Sequence, residues 1–171
     1  MHTGLQKKLE NIRLFVTDFD GVHTDGCVYV DQDGKESVKC SRKDGLGISM
    51  LKKAGIEVHV ISKETNPVVA ARCKKLEITH DQGVHDSDGK LEILKRIASE
   101  KGLSSEHILY MGDDLNDEAP LSWAGVAVTV ADGHERIKPL CAYVTVAKGG
   151  THAIREVAEL VLEAQGQKLS F

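Results

Sequence analysis

The apolar residues of the chain follow two rhythms. Unbroken or alternating apolar runs at residues 12–16, 57–61, 78–80, 108–111, 126–130 and 143–146 are short, rich in β-branched residues and bounded by turn formers, which predicts strands. Between them, apolar positions recur every three or four residues. This predicts helices over 44–54, over a stretch carrying Val68, Val69, Cys73 and Leu76, over 90–101 with Leu91, Leu94, Ile97 and Ala98 inward, near 135–140, and over 152–164. Asp44 is placed as the cap of the first of these and Thr65 or Asn66 as the cap of the second, with Gly55 and Gly102 as C-terminal stops. Residues 27–30 and 36–40 flank the turn Asp31-Gln32-Asp33-Gly34 and read as a hairpin. Strand-then-helix alternation implies an α/β fold: a doubly wound, Rossmann-like parallel sheet with helices on both faces and a small β-hairpin flap. Residues 1–171 are expected to form a single domain, long enough for a sizeable core.

Ligands of such sheets bind beyond the carboxyl ends of the strands, and two of those ends carry carboxylates. The run Leu14-Phe15-Val16-Thr17 stops at Asp18-Phe19-Asp20-Gly21, where extended-chain alternation puts Asp18 and Asp20 on one side. The run 108–111 stops at Gly112-Asp113-Asp114-Leu115-Asn116-Asp117. Paired carboxylates repel and call for a cation, a shared proton or both, which points to a hard divalent metal. A calcium loop starting at Asp18 fails, because Val22, His23 and Tyr29 stand where it needs an oxygen ligand, Gly and Glu. Ser62 at another strand end and Lys90 at a helix start add a hydroxyl and an ammonium. Metal, ammonium and two acids suit phosphoryl transfer.

Composition narrows the partners. Net charge is −4 with 4% aromatics, so a nucleic-acid groove is not expected. The first ten residues are polar and nothing approaches a membrane span, so a cytoplasmic protein is expected. Cys27, Cys40, Cys73 and Cys141 lack Cys-x-x-Cys spacing and are expected as buried free thiols. There is no Gly-x-x-x-x-Gly-Lys-Ser/Thr loop and no Gly-x-Ser-x-Gly elbow.

The four groups occur in the order that characterises the haloacid dehalogenase superfamily of aspartate-nucleophile phosphatases, which the chain resembles over nearly its whole length. The resemblance implies Asp18 as nucleophile and Asp20 as the acid that protonates the leaving alcohol and then activates water. It implies Mg²⁺ held by Asp18, the Asp20 carbonyl and Asp113, with Ser62 and Lys90 on the phosphate and Asp114 and Asp117 supporting the site from behind. Asp20-Gly21-Val22-His23-Thr24-Asp25-Gly26, Lys43-Asp44-Gly45-Leu46-Gly47-Ile48 and Gly149-Gly150 with Ala153-Ile154-Arg155-Glu156 are similar to the 3-deoxy-manno-octulosonate 8-phosphate phosphatases and their sialic-acid relatives. That group lacks a cap domain, and the hairpin plus one helix between Asp20 and Ser62 is too little for a lid with its own core. The likeness implies a homotetramer, with residues 28–39 and 165–171 helping assembly and closure of the cleft.

The substrate reading is a phosphorylated 2-keto-3-deoxy sugar acid. Asp44, Gly45, Glu64, Arg72 and Lys75 are the residues assigned to it, Arg72 and Lys75 lying three apart on one helix where they could receive a carboxylate. The octulosonate 8-phosphate is placed first. Glu64 with Arg72 and Lys75 resembles instead the relatives that act on nonulosonate 9-phosphates. Ser62-Lys63-Glu64 and Thr151-His152 depart from the octulosonate pattern, and the turn 86–89 is longer than usual. His80, His85 and His152 read as surface or core histidines, with substrate contact as the alternative. A reading of another class is a non-catalytic assembly module of a sialic-acid cytidylyltransferase; such modules tend to lose the acidic motifs, which are present here.

Overall fold

The computed structural model describes residues 3–168; the last part of the segment 165–171 lies outside them. Six strands form one parallel sheet: β1 (Leu14–Thr17), β4 (Glu57–Ser62), β5 (Thr79–Gln82), β6 (Ile108–Gly112), β7 (Val126–Thr129) and β8 (Tyr143–Val144), in the order β5-β4-β1-β6-β7-β8. β1 is central because it is apolar on both faces. Phe15 packs with Val58, Leu109, Met111, Val126 and Val128, whereas Leu14 and Val16 pack on the opposite face with Ile61, Ile108, Tyr110 and Ala127. The first face is covered by α1 (Thr3–Glu10), α2 (Arg42–Lys53) and α6 (Ala153–Ala164), through Leu9, Ile48, Leu51, Ile154, Val157 and Val161. The second is covered by α4 (Ser87–Glu100) and α5 (Glu118–Trp123), through Leu94, Ile97, Ala98 and Leu121. The helix α3 (Val68–Leu76) buries Val69 and Cys73 with Phe19 and Val60. No cap domain stands between β1 and β4; the two short strands there, β2 (Tyr29–Val30) and β3 (Glu36–Ser37), pair antiparallel as a hairpin shorter than the sequence suggests.

Five further sequence expectations are corrected, the first being that Pro67 stands at the cap of α3, where Thr65 or Asn66 is expected. The cap of α2 is Ser41, whose hydroxyl accepts from Lys43 N and Asp44 N, not Asp44. Asp44 reaches instead to α6, accepting from Arg155 N at 2.9 Å and His152 N at 3.3 Å. The helix α4 starts at Ser87 rather than Lys90, so the turn 86–89 is its cap and first turn, with Asp86 Oδ1 accepting from Gly89 N at 2.7 Å. The expected helix near 135–140 is only a 3₁₀ turn, Lys138–Leu140, interrupted by Pro139. Of the four cysteines, all free, only Cys73 is buried and Cys27 is exposed. Two helices, α1 and α5, were not expected. Among the described residues no helix is long and apolar enough to cross a membrane.

Candidate active site

Backbone pairing carries β1 one step beyond its last residue: Asp18 N donates to Met111 O at 2.9 Å, so the nucleophile candidate emerges rigidly from the sheet centre. The chain then doubles back, and the Phe19 carbonyl accepts from Val22, His23 and Thr24. Gly21 makes this possible twice over. Its φ of +74° is costly for any residue with a Cβ, and a Cβ there would stand 1.9 Å from Asp113 Oδ2. The Asp113 carboxylate therefore packs directly against the turn that follows Asp18. From the far end of the chain, Gly149 closes over the same turn: a Cβ on it would stand 1.8 Å from Gly21 O, and Gly150 N donates to Val22 O at 3.0 Å. His23 is buried under the turn, its Nε2 2.9 Å from Thr17 Oγ1 and its ring stacked on Phe19. Burial, helped by the Arg72 charge, lowers its pKa to about 3, so the imidazole is neutral.

Lys90 enters from the first turn of α4 and is wholly buried. Its ammonium donates to Asp18 Oδ2 at 2.6 Å and to Asp117 Oδ1 at 2.8 Å. Burial alone would lower its pKa, but the two carboxylates outweigh that and raise it. Asp117 accepts three further bonds, from Tyr110 Oη at 2.8 Å, Asp113 N at 3.0 Å and Asp114 N at 3.4 Å. Asp114 is exposed and caps the following 3₁₀ turn, Leu115–Asp117.

Above these groups opens a cleft of about 270 Å³ lined by Asp18, Asp20, Ser62, Lys63, Glu64, Thr65 and Asn116. The Ser62 hydroxyl accepts from Glu64 N at 3.0 Å, which leaves its own proton to donate. Glu64 Oε1 accepts from Thr65 N and Asn66 N, folding the loop after β4, and Asn66 Nδ2 donates to Glu36 of the hairpin at 3.1 Å. Asp20, half-buried, has a raised pKa from burial and then from the Glu64 charge, which favours the protonated form a general acid needs.

Oxygens of Asp18, Asp113 and Asp117 lie within 4.8 Å of one another. Asp117 already accepts four donors, so Asp18 and Asp113 are the pair with capacity for a cation. Burial first, then repulsion from neighbouring carboxylates, pushes Asp18 up to about 7 and Asp113 up to about 8. Such crowding of hard oxygen donors fits a divalent metal.

Residues 76–156 match the family profile of the haloacid dehalogenase-like hydrolases. The 3-deoxy-D-manno-octulosonate 8-phosphate phosphatase KdsC of Escherichia coli K12 is 38% identical over 161 residues, covering 94% of this chain and 84% of that protein. The chain belongs to this hydrolase family. Among solved structures, the 3-deoxy-D-manno-octulosonate 8-phosphate phosphatase of Moraxella catarrhalis, in complex with magnesium ion, phosphate ion and KDO, superposes with a TM-score of 0.92 at 34% identity, over 97% of this chain and 94% of that one. A cobalt-bound phosphatase of the same name from Haemophilus influenzae has a TM-score of 0.87 at 34% identity, over 93% and 92%. The capless hydrolase fold and these relatives make the chain a phosphatase.

The fold thus gathers Asp18, Asp20, Ser62, Glu64, Lys90, Asp113 and Asp117 around one cleft and its floor. The remaining candidates are not among the residues that line this cleft. The Asp44 carboxylate is buried and bonded to the start of α6. Gly45 lies against Leu76 and the Arg72 guanidinium, whose Nη2 donates to Ser41 O at 2.9 Å. Lys75 is exposed on α3. Two residues went unassigned in the sequence. Asn116 lines the cleft with Nδ2 3.5 Å from Asp18 Oδ2, and Tyr110 donates to Asp117 beneath it. A tyrosine in an otherwise apolar central strand is the available signal, since a buried hydroxyl must find a partner.

Proposed function

We propose that the chain is a Mg²⁺-dependent phosphatase of 2-keto-3-deoxy sugar-acid phosphates that works through an aspartyl-phosphate on Asp18, with 3-deoxy-D-manno-octulosonate 8-phosphate as substrate. The observation that carries the mechanism is the buried Asp18–Lys90–Asp117 chain opening on a cleft walled by Asp20 and Ser62. An Asp18 oxygen attacks phosphorus, and the P–O bond to the sugar breaks as Asp20 gives its proton to the departing alkoxide. Asp20, now a carboxylate, takes a proton from water as that water attacks the acyl phosphate, releasing inorganic phosphate and restoring Asp18. Lys90 and Ser62 donate to the phosphoryl oxygens throughout. Asp18, Asp113 and the Asp20 carbonyl would hold Mg²⁺, which when bound offsets the repulsion between carboxylates and phosphate. Asp18→Asn keeps shape and should lose several powers of ten in turnover while folding normally; substantial residual turnover would favour direct attack by water.

The identity and coverage of the octulosonate phosphatases support the substrate. A second reading, a nonulosonate 9-phosphate, is supported by Glu64, which lines the cleft with both of its backbone bonds on one oxygen. Comparing kcat/KM on the two acids separates them. In this reading residues 1–171 act as one cytoplasmic domain, and the protein is a homotetramer, because an open cleft on a capless fold leaves a small substrate poorly enclosed. The hairpin supports this with Val28, Tyr29 and Val30 at 52%, 60% and 59% exposure.

A further inference from the structure

We propose that Tyr110 is a positioning residue of the phosphatase reaction: its hydroxyl fixes the carboxylate of Asp117 and, through it, the attitude of the Lys90 ammonium toward Asp18 and the transferring phosphoryl group. This rests on the roles given above to Asp18 and Lys90.

Tyr110 sits in β6 directly beside β1, in register with Val16, and its side chain points to the face from which α4 delivers Lys90. It is fully buried. Its hydroxyl and the Lys90 ammonium donate to the same oxygen, Asp117 Oδ1, both at 2.8 Å. The other oxygen, Oδ2, accepts from the backbone of Asp113 and Asp114. Four donors on two oxygens fix the rotation of the carboxylate. Gly112 closes the remaining side, since a Cβ there would stand 2.4 Å from Asp117 Cγ. The carboxylate is therefore held from the strand, from the following loop and from below, and Lys90 is the one donor in the set that also touches the nucleophile.

A buried carboxylate needs donors, and a core tyrosine needs an acceptor, so the contact could serve the fold alone. The shared oxygen argues for more. Without the hydroxyl, Oδ1 keeps only Lys90, the ammonium is drawn toward Asp117, and its hold on Asp18 and on the charge developing at phosphorus weakens. An interaction that matters in the transition state lowers kcat, and one that serves folding lowers the melting temperature.

The test uses Tyr110→Phe, which removes one oxygen and keeps the ring, assayed with para-nitrophenyl phosphate and Mg²⁺. Wild-type turnover abolished by Asp18→Asn establishes the underlying mechanism first; its absence would sink that mechanism separately from the role of Tyr110. Then kcat for Tyr110→Phe should fall about tenfold, the worth of one charge-assisted hydrogen bond. Inhibition by orthovanadate, a mimic of the pentacoordinate phosphoryl group, should weaken by a similar factor, with KM changed less than about twofold. In an Asp117→Asn background the same substitution should add nothing, because its route to Lys90 is already cut. A kcat within about twofold of wild type, an unchanged vanadate affinity, or an undiminished effect in the Asp117→Asn background would each overturn the proposal and leave Tyr110 a core residue.

Discussion

Protons and the metal should compete for the same two carboxylates, and the competition can be counted. Asp18 at about 7 and Asp113 at about 8 are both raised, first by burial. The folded, metal-free protein therefore holds protons that the unfolded chain has released, and this stabilising contribution is present in full below the ordinary carboxylate range and lost as pH rises through about 7 and then about 8. Mg²⁺ binding must expel those protons. Near pH 6 the penalty on affinity is a factor of about 11 from Asp18 and about 100 from Asp113; near pH 8 the two together amount to about twofold. Affinity should accordingly rise from about pH 6 to about pH 8 by roughly tenfold if Asp18 alone titrates and by roughly 500-fold if both do. Isothermal titration calorimetry in buffers of different ionisation enthalpy reads the protons directly. Release should be close to about two per metal near pH 6 and about half a proton near pH 8. In parallel, the melting temperature without metal should fall across this range while the increment from Mg²⁺ grows. A proton release that is negligible, or constant from about pH 6 to about pH 8, would refute the assignment of these two groups as the competing ligands.

Replacing Lys90 by Met should destabilise the metal-free protein by about 3–5 kcal/mol in urea unfolding, because Asp18 and Asp117 are left buried without a counter-charge; a loss below about 1 kcal/mol would show that water or protons already compensate them. Arg72 Nε is buried without a partner. Arg72→Ala should cut kcat/KM for sugar-acid phosphates far more than for an aryl phosphate that has no carboxylate, and equal losses would assign Arg72 to the fold. Dilution, followed by light scattering and activity together, should dissociate the proposed tetramer and lower kcat/KM on the sugar acid; a monomer with full specificity would remove the argument for a cleft closed by neighbouring subunits.

The sequence was most legible where one residue's neighbours decide its fate. β1 and β6 are apolar runs that end in acids; the two strands pair at the middle of the sheet, and their acids stand beyond its carboxyl ends as expected. Reading failed where the deciding partner is distant. Asp44 looks like a cap for its own helix, but Ser41 fills that role and frees it to serve a helix more than a hundred residues on. The helix α1 is polar apart from a few positions and forms because Leu5 and Leu9 pack into the core that α6 shares. The placement of Asp18 and Asp20 at a strand end was legible from spacing and turn, whereas the grip of Asp117 on Lys90 spans 27 residues and exists only once α4 docks on the sheet.

The closure of the Asp18–Gly21 turn by Gly149 and Gly150 has a temporal meaning. The turn follows β1, the first strand made, but the backbone that seals it is made only after β8. A fragment ending before residue 149 carries every acid, the serine and the lysine, yet lacks the strap across Gly21 and the helix that Asp44 anchors. Such a fragment should hydrolyse far more slowly than the whole chain, because the turn that carries Asp18 and Asp20 is held shut only by the backbone that returns from β8.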